Sequence, residues 1–207
     1  MHALIIANGT QPPLTVVRPL ADAADMIVCA DGGANHALKM NIRPSVIIGD
    51  FDSIILSTRH YYSHIKQIID PDQNSTDLEK AIQYCIDQRI DSADIVGATG
   101  SRLDHSTGSL GCFKKFGNRI RLRLFDTVAQ VQSVDRSITF DVDIGETISL
   151  IPLERCSGVN TTNLKYALSG ESLELGVREG ISNVTIASPV TVSVEVGTLL
   201  LYRFYRR

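Results

Sequence analysis

Four short apolar runs in this chain end in acidic, glycine-bearing turns. Met26–Ala30 leads into Asp31-Gly32-Gly33-Ala34-Asn35, and Val46–Ile48 into Gly49-Asp50-Phe51-Asp52-Ser53. Ile65–Ile69 leads into Asp70-Pro71-Asp72-Gln73-Asn74-Ser75-Thr76-Asp77, and Ile95–Val96 into Gly97-Ala98-Thr99-Gly100-Ser101-Arg102-Leu103-Asp104-His105. Asp and Gly are common turn residues, so one such turn says little. Four at the same end of one sheet would surround a ligand site. If strand geometry continues past Gly49, Asp50 and Asp52 leave the same face. Two bare carboxylates ~5 Å apart repel by about 3 kcal/mol at an effective dielectric near 20, which calls for a cation or a shared proton. A solvated turn is the plain alternative. With Asp77 and Asp104 the set is all oxygen, a choice that suits Mg²⁺, Mn²⁺ or Ca²⁺ better than zinc. Asp77 at a helix start either complements the helix dipole or joins the ligand set, and free N–H groups there could meet a phosphate. Gly32-Gly33 would let backbone approach a nucleotide closely, although the chain has no Gly-x-x-x-x-Gly-Lys-Ser/Thr loop. Arg102 offers either a fork for phosphate oxygens or a surface ion pair. His105 offers a phosphate donor, a base, or an ordinary polar or core residue. Carboxylates, a metal, an arginine and glycine turns together suggest phosphoryl-type chemistry on a nucleotide.

The elements that must position these residues fall into two halves. The first half alternates Leu4–Ala7, Met26–Ala30, Val46–Ile48, Ile65–Ile69 and Ile95–Gly97, continuous apolar runs that read as strands covered on both faces, with helix-like segments. The clearest helix begins at Thr76, where Thr76 and Glu79 form a capping-box pair and Leu78, Ala81, Ile82, Cys85 and Ile86 share one face. Alternating strands and helices imply a parallel sheet with crossovers. After about residue 125 the strand-like pieces are Ser137–Val142, Thr147–Leu150, Thr185–Ile186, Val190–Val196 and Leu199–Phe204, and no amphipathic helix follows. That pattern predicts an antiparallel sandwich or small barrel. The acids change with it: residues 1–136 hold fourteen Asp and one Glu, the remainder two Asp and six Glu, so the halves are built differently.

Composition narrows the classes. The 207 residues are 43% hydrophobic and 21% charged, enough for a packed core. A net charge of -3 argues against a nucleic-acid partner. No apolar run approaches the ~20 residues of a membrane span, and the start turns polar too soon for a signal peptide, so a cytoplasmic location is expected. Cys29, Cys85, Cys112 and Cys156 are widely spaced and read as buried thiols.

The order and spacing of Asp31-Gly32-Gly33-Ala34-Asn35, Gly49–Ser53, Asp72–Ala81, Arg102-Leu103-Asp104-His105 and Gly180-Ile181-Ser182-Asn183, with Ser149–Leu153 and Leu164–Leu168, resemble the thiamine pyrophosphokinase family over nearly the whole chain. The resemblance implies an α/β nucleotide-binding catalytic domain over 1–130, with an open, mostly parallel sheet and helices on both faces. A C-terminal antiparallel β-sandwich over 131–207 would bind thiamine and dimerise. It implies Mg²⁺-dependent transfer of the pyrophosphoryl group of ATP to thiamine, giving thiamine diphosphate and AMP, in a homodimer whose active site is shared between subunits. By match, Asp50, Asp52 and Asp77 hold Mg²⁺. Asp31, Thr76, Arg102 and Asp104 surround ATP, with Gly32, Gly33 and His105 in the same turns. Gln73 and Asp77 face thiamine, and Ser182 and Asn183 come from the second subunit's sandwich. Either Asp77 or Asp104 takes the alcohol's proton. This chain departs from the family in carrying Ser101 where a Gly is usual, in lacking an Asn after Asp126, and in having no Trp, which leaves Phe51 and Tyr166 as candidates to contact the thiamine ring. Competing readings are a diphosphokinase on another heterocyclic alcohol such as a pterin, a non-catalytic thiamine or nucleotide sensor, and a metal-dependent phosphohydrolase. Retention of Asp50, Asp52, Asp77 and Asp104 argues against a sensor.

Overall fold

A computed structural model describes residues 1–100 and 102–205, which leaves Ser101 outside the described residues. The chain divides into two compact units, Met1–Thr127 and Val128–Arg207.

In the first unit, strands and helices alternate: β1 (His2–Ile6), α1 (Leu14–Ala23), β2 (Met26–Ala30), α2 (Gly33–Lys39), β3 (Val46–Gly49), α3 (Leu56–Tyr61), β4 (Lys66–Ile69), α4 (Asp77–Asp87), β5 (Ser92–Val96), α5 (Leu103–Phe116) and β6 (Arg121–Phe125). The strands lie in the order β6-β5-β1-β2-β3-β4, every neighbouring pair parallel. The chain first winds outward from β1 to β4, and then crosses back to place β5 on β1's other side. The strand order therefore reverses between β1 and β5, where open parallel sheets leave a crevice. Side chains alternate between faces. Leu4, Ile6, Cys29 and Ile47 pack with Val17 of α1 and Ala34 and Ala37 of α2 in one buried cluster. Ile5, Val28 and Ile48, also buried, alternate to the opposite face, and α4 contacts β1, β2 and β3.

The expected strands are present with small shifts of boundary, and β6 joins them. One expectation fails: Ile65–Ile69 is not covered on both faces. β4 is the edge strand, with Lys66 and Ile69 exposed. A lysine at its start suits an edge, where unpaired backbone would otherwise invite another strand. The Thr76 helix forms as expected. Thr76 Oγ1 accepts from Glu79 N, and Glu79 returns a carboxylate oxygen to Thr76 N at 2.9 Å. Its buried face includes Leu78, Ala81, Ile82 and Cys85, with Ile86 only half-buried and Lys80 buried alongside.

The second unit is a β-sandwich: β7 (Ala129–Ser133), β8 (Ser137–Phe140), β9 (Thr147–Pro152), β10 (Cys156–Thr161), β11 (Glu171–Leu173), β12 (Gly180–Val184), β13 (Val190–Ser193) and β14 (Leu199–Phe204). Its two antiparallel layers run β12-β9-β14-β7 and β11-β10-β13-β8. Between them lies a core that includes Ile148, Leu150, Val159, Leu173, Val190, Val192, Leu199 and Leu201. Thr185–Ile186 is not a strand; Thr185 makes an isolated bridge to Leu164. β10 and β12 escape the sequence pattern because each is bulged. Their registers shift beside Gly158 (φ 64°) and Ser182 (φ 57°), which breaks the two-residue period that marks a strand. No helix follows Phe116 among the described residues. All four cysteines are buried and unpaired, and burial pushes the Cys85 and Cys112 thiols up to about 12.

Gly33 shows how tightly the first unit is joined. A Cβ there would stand 1.9 Å from the Ile6 carbonyl oxygen, in a strand held on both sides. Gly33→Ala should therefore cost at least about 2 kcal/mol, read as a lower urea midpoint at unchanged slope. An unchanged midpoint would show that α2 is not seated directly on β1.

Candidate active site

β2, β3 and α4 bring three carboxylates to one place. Asp31 directly follows β2 in a left-handed conformation (φ 41°), with its N–H bonded to Ile48 O at 2.8 Å. That strained turn directs the side chain across the end of β3. Gly49 leaves room for it: a Cβ there would lie 2.6 Å from Asp31 Cβ and 3.1 Å from Asp77 Oδ1. Asp50 follows, and α4's capped start supplies Asp77. One carboxylate oxygen from each of Asp31, Asp50 and Asp77 lies within 4.8 Å of the others.

The environment differs at each. Asp31 is 1% exposed; its Oδ2 accepts from Ser53 N at 2.9 Å, and its Oδ1 is buried with no hydrogen-bond partner. Burial, and then the neighbouring Asp77, Asp52 and Asp50 charges, raise its pKa against the pull of the Ser53 N–H. Burial also raises Asp77, opposed by Lys80. Asp50 is lowered, because Gln73 Nε2 donates to Oδ2 at 3.2 Å and Asp52 N donates to Oδ1 at 3.2 Å. Asp52 departs from the sequence expectation. Phe51 turns left-handed (φ 63°), so the strand does not continue and the premise that aligned Asp50 with Asp52 fails. Asp31, not Asp52, joins Asp50 and Asp77 in the close group, while the Asp52 carboxylate accepts from Ser53 Oγ at 2.7 Å.

The opposite wall comes from the ends of β1 and β5. Gly9 N bonds Gly97 O at 2.6 Å and Thr10 N bonds Thr99 O at 2.8 Å, so the two loops are laced backbone to backbone. A Cβ on Gly9 would fall 2.4 Å from Thr99 O. Beyond them Arg102 grips Asp104 with two nitrogens, at 3.2 and 2.5 Å, and that fork holds the exposed Asp104 carboxyl down at about 2.

Between these walls is an open cleft of about 730 Å³, within the usual range of small-molecule sites. Asp31, Asp50, Gln73, Thr76, Asp77, Arg102, Asp104 and His105 all line it. Gly32, Gly33 and Asp52 are not among the lining residues. Gly33 instead serves the close approach of α2 to β1, and a Cβ on Gly32 would meet the Asn8 side chain. In the second unit, Ser182 is exposed, with its N–H on Ser149 Oγ at 2.9 Å. Asn183 is buried; its Oδ1 accepts from Tyr166 N at 3.0 Å and its Nδ2 donates to Tyr166 O at 2.7 Å. The Asn183 amide thus fixes the Tyr166 backbone. Sequence reasoning passed over Lys80, although it stands one turn after Asp77, and over Gly9, whose need appears only once β1 and β5 are neighbours.

Comparison with known proteins agrees with this geometry. Residues 17–124 match the family model described as thiamin pyrophosphokinase, catalytic domain, and residues 135–199 match its vitamin B1 binding domain. Thiamine pyrophosphokinase of Bacillus subtilis is 28% identical over 96% of both chains, and thiamine pyrophosphokinase 1 of rice is 28% identical over 93% of this chain and 83% of its own. The crystal structure of the Bacillus subtilis enzyme superposes over the full length of both chains with a TM-score of 0.87 at 26% identity. A parallel sheet with an acidic crevice, a following sandwich, and both family domains matched in order lead to one conclusion: the chain belongs to the thiamin pyrophosphokinase family.

Proposed function

We propose that the acidic cleft of the first unit is where this chain transfers the pyrophosphoryl group of ATP to thiamine, giving thiamine diphosphate and AMP. The observation that carries the assignment of the site is the meeting of Asp31, Asp50 and Asp77 within 4.8 Å at the carboxyl ends of β2 and β3, across the cleft from the point where the strand order reverses. These residues fit a divalent cation. Three oxygen donors converge, and the buried Asp31 Oδ1 has no other partner. Mg²⁺ would be held by Asp31, Asp50 and Asp77 with Asp52 beside them, and would supply charge neutralisation and orientation of the triphosphate.

The remaining work belongs to the chain's own groups. Arg102 presents its fork to phosphate oxygens, exchanging Asp104 for them. The laced loops at Gly9 and Gly97–Gly100 admit the nucleotide close to backbone. Gln73, tied to Asp50, faces the thiamine side and orients the hydroxyl for in-line attack on the β-phosphorus. Asp77, which stands in the carboxylate group beside Asp50, the partner of Gln73, accepts the hydroxyl proton.

The thiamine ring contact we assign to Tyr166. Residues 135–199 contain two aromatics, Phe140 and Tyr166. Phe140 is half-buried under the Arg203 guanidinium, 4.6 Å from its ring centre, whereas the Lys165 ammonium stands farther from the Tyr166 ring, at 5.4 Å. Tyr166 is 62% exposed and its backbone is clamped by Asn183. An exposed ring on a fixed backbone suits a flat cation such as thiazolium. We further propose that the enzyme is a homodimer, in which Ser182 and Tyr166 of one protomer serve the cleft of its partner. The exposed Leu175, Val177 and Ile181 support a second copy covering that part of the sandwich. The family match and the vitamin B1 binding domain favour thiamine over a pterin alcohol. No helix among the described residues is long and apolar enough to cross a membrane.

Incubation with ATP, Mg²⁺ and thiamine should yield thiamine diphosphate and AMP in equal amounts, resolved by chromatography. ADP and inorganic phosphate with no thiamine product would reject the assignment in favour of a phosphohydrolase. Asp50→Asn should stay folded and lose about 100-fold in turnover, roughly 3 kcal/mol of barrier. The pH dependence of stability follows from Asp31. Its carboxyl is raised in the fold, so the folded state holds the proton more tightly than the unfolded chain. Stability of the metal-free protein therefore falls as pH rises from the unfolded carboxylate value, near 4, through the raised one. In EDTA at pH 7.5, Asp31→Asn should melt higher than the parent, and the gain should shrink as pH falls to the ordinary carboxylate range and below. A lower melting temperature at pH 7.5 would mean that the Asp31 charge is compensated. Tyr166→Ala should raise the KM for thiamine about tenfold and leave that for ATP unchanged, with Tyr166→Phe near the parent value. Equal effects on both substrates would remove the ring from the thiamine site.

A further inference from the structure

Among the described residues, Lys80 is the buried cation beside the carboxylate group. Its side chain is 3% exposed, and its Nζ donates to Asp70 O at 2.8 Å and approaches Asp77 Oδ1 at 3.4 Å. Six carboxylates line the cleft, Asp31, Asp50, Asp72, Asp77, Glu79 and Asp104, against two full cations, Lys80 and Arg102. Arg102 is exposed and occupied by Asp104, and Glu79 pairs with Lys115 outside the cluster at 2.6 Å. Among the described residues, Lys80 is therefore the buried cation that faces this group from within the protein, directly at Asp77 and through its field at Asp50. A mere tether from α4 to the end of β4 would need only the bond to Asp70 O, which a neutral donor can make. A buried ammonium is far costlier to place than an amide, so its charge needs a separate reason.

We propose that Lys80 is a built-in counter-cation that keeps the carboxylate site weak for a free divalent ion, so that the metal enters together with the nucleotide's phosphates. This rests on the metal reading of the cleft given above. A fixed positive charge a few ångströms from a dication opposes its binding. The triphosphate reverses that balance, because its own negative charge is attracted by the ammonium and by the metal at once. Lys80 is thus a positioning residue: it acts on the order of binding through the field at Asp77, and no bond to the reacting atoms is required of it.

The test is Mn²⁺ affinity of the full chain without nucleotide, read by electron paramagnetic resonance of free Mn²⁺. Lys80→Gln removes the charge and keeps a donor for Asp70 O; Lys80→Arg keeps the charge. Lys80→Gln should bind Mn²⁺ at least tenfold more tightly than the parent, and Lys80→Arg should stay within threefold of it. Circular dichroism melts verify that each variant is folded, and should Lys80→Gln not fold, Lys80→Met takes its place. An affinity in the neutral variant that is unchanged, weaker or still unmeasurable overturns the counter-cation role. The metal reading fails separately: Asp77→Asn in the Lys80→Gln background should abolish the tight site, and if it does not, the ion sits elsewhere.

Discussion

Like charges held close together are the constraint around which the first unit is organised. Within 4.8 Å of one another, ionised carboxylates of Asp31, Asp50 and Asp77 would repel by about 3 kcal/mol or more per pair at an effective dielectric near 20. Left to themselves the side chains would turn to water. The fold prevents this with backbone devices. Asp31 is fixed by a left-handed turn and by Ser53 N, Asp50 by Gln73 and the turn at Phe51, and Asp77 by a capped helix start and Lys80. Asn35 secures the turn that carries Ser53: its Nδ2 donates to Ser53 O and its Oδ1 accepts from Ile55 N, each at 3.0 Å. Such arrangements cost stability and persist where function requires them.

The parallel sheet makes this concentration feasible. All six strands of the first unit point the same way, so every turn that follows a strand lands at one end. The order reverses between β1 and β5, and the loops that follow them, laced at Gly9 and Gly97, form the wall that faces the carboxylates. The core beneath is close-packed and apolar, with Leu4, Ile5, Ile6, Val28, Ile47 and Ile95 almost wholly buried. It supplies the rigidity that loops alone would lack, and the acidic cleft sits on its rim.

Much of this was legible in the residue order. Continuous apolar runs gave β1, β2, β3 and β5, the Thr76–Glu79 pair gave the start of α4, and the change from Asp to Glu accompanied the change from α/β to sandwich. The acidic turns were visible because each interrupts an apolar run. What escaped depends on long-range geometry. Pairing Asp50 with Asp52 assumed an extended chain, and nothing in Gly-Asp-Phe-Asp-Ser announces a left-handed phenylalanine. Asp31 takes the third place through a contact that exists only once β2 and β3 are neighbours. The exposed edge at β4 was hidden for the same reason: an apolar run does not say which of its faces will be covered.

The residues hardest to read from sequence are those where a local preference is overridden, and three such positions lie next to the proposed chemistry. Asp31, Phe51 and Ser182 all have φ values that side chains seldom adopt, and each adjoins or belongs to a candidate site. Ser182 also sits in a register shift that hides β12 from a two-residue period. Lys80 stands beside an apolar helix face, where a periodic pattern would place a hydrocarbon. A sequence under pressure only to fold would relax these positions toward glycine, asparagine or leucine. Asp31 and Phe51 in the cleft and Ser182 at the sandwich edge are positions where folding preference alone does not choose the residue, and the buried ammonium of Lys80 is a fourth, for which packing alone gives no account.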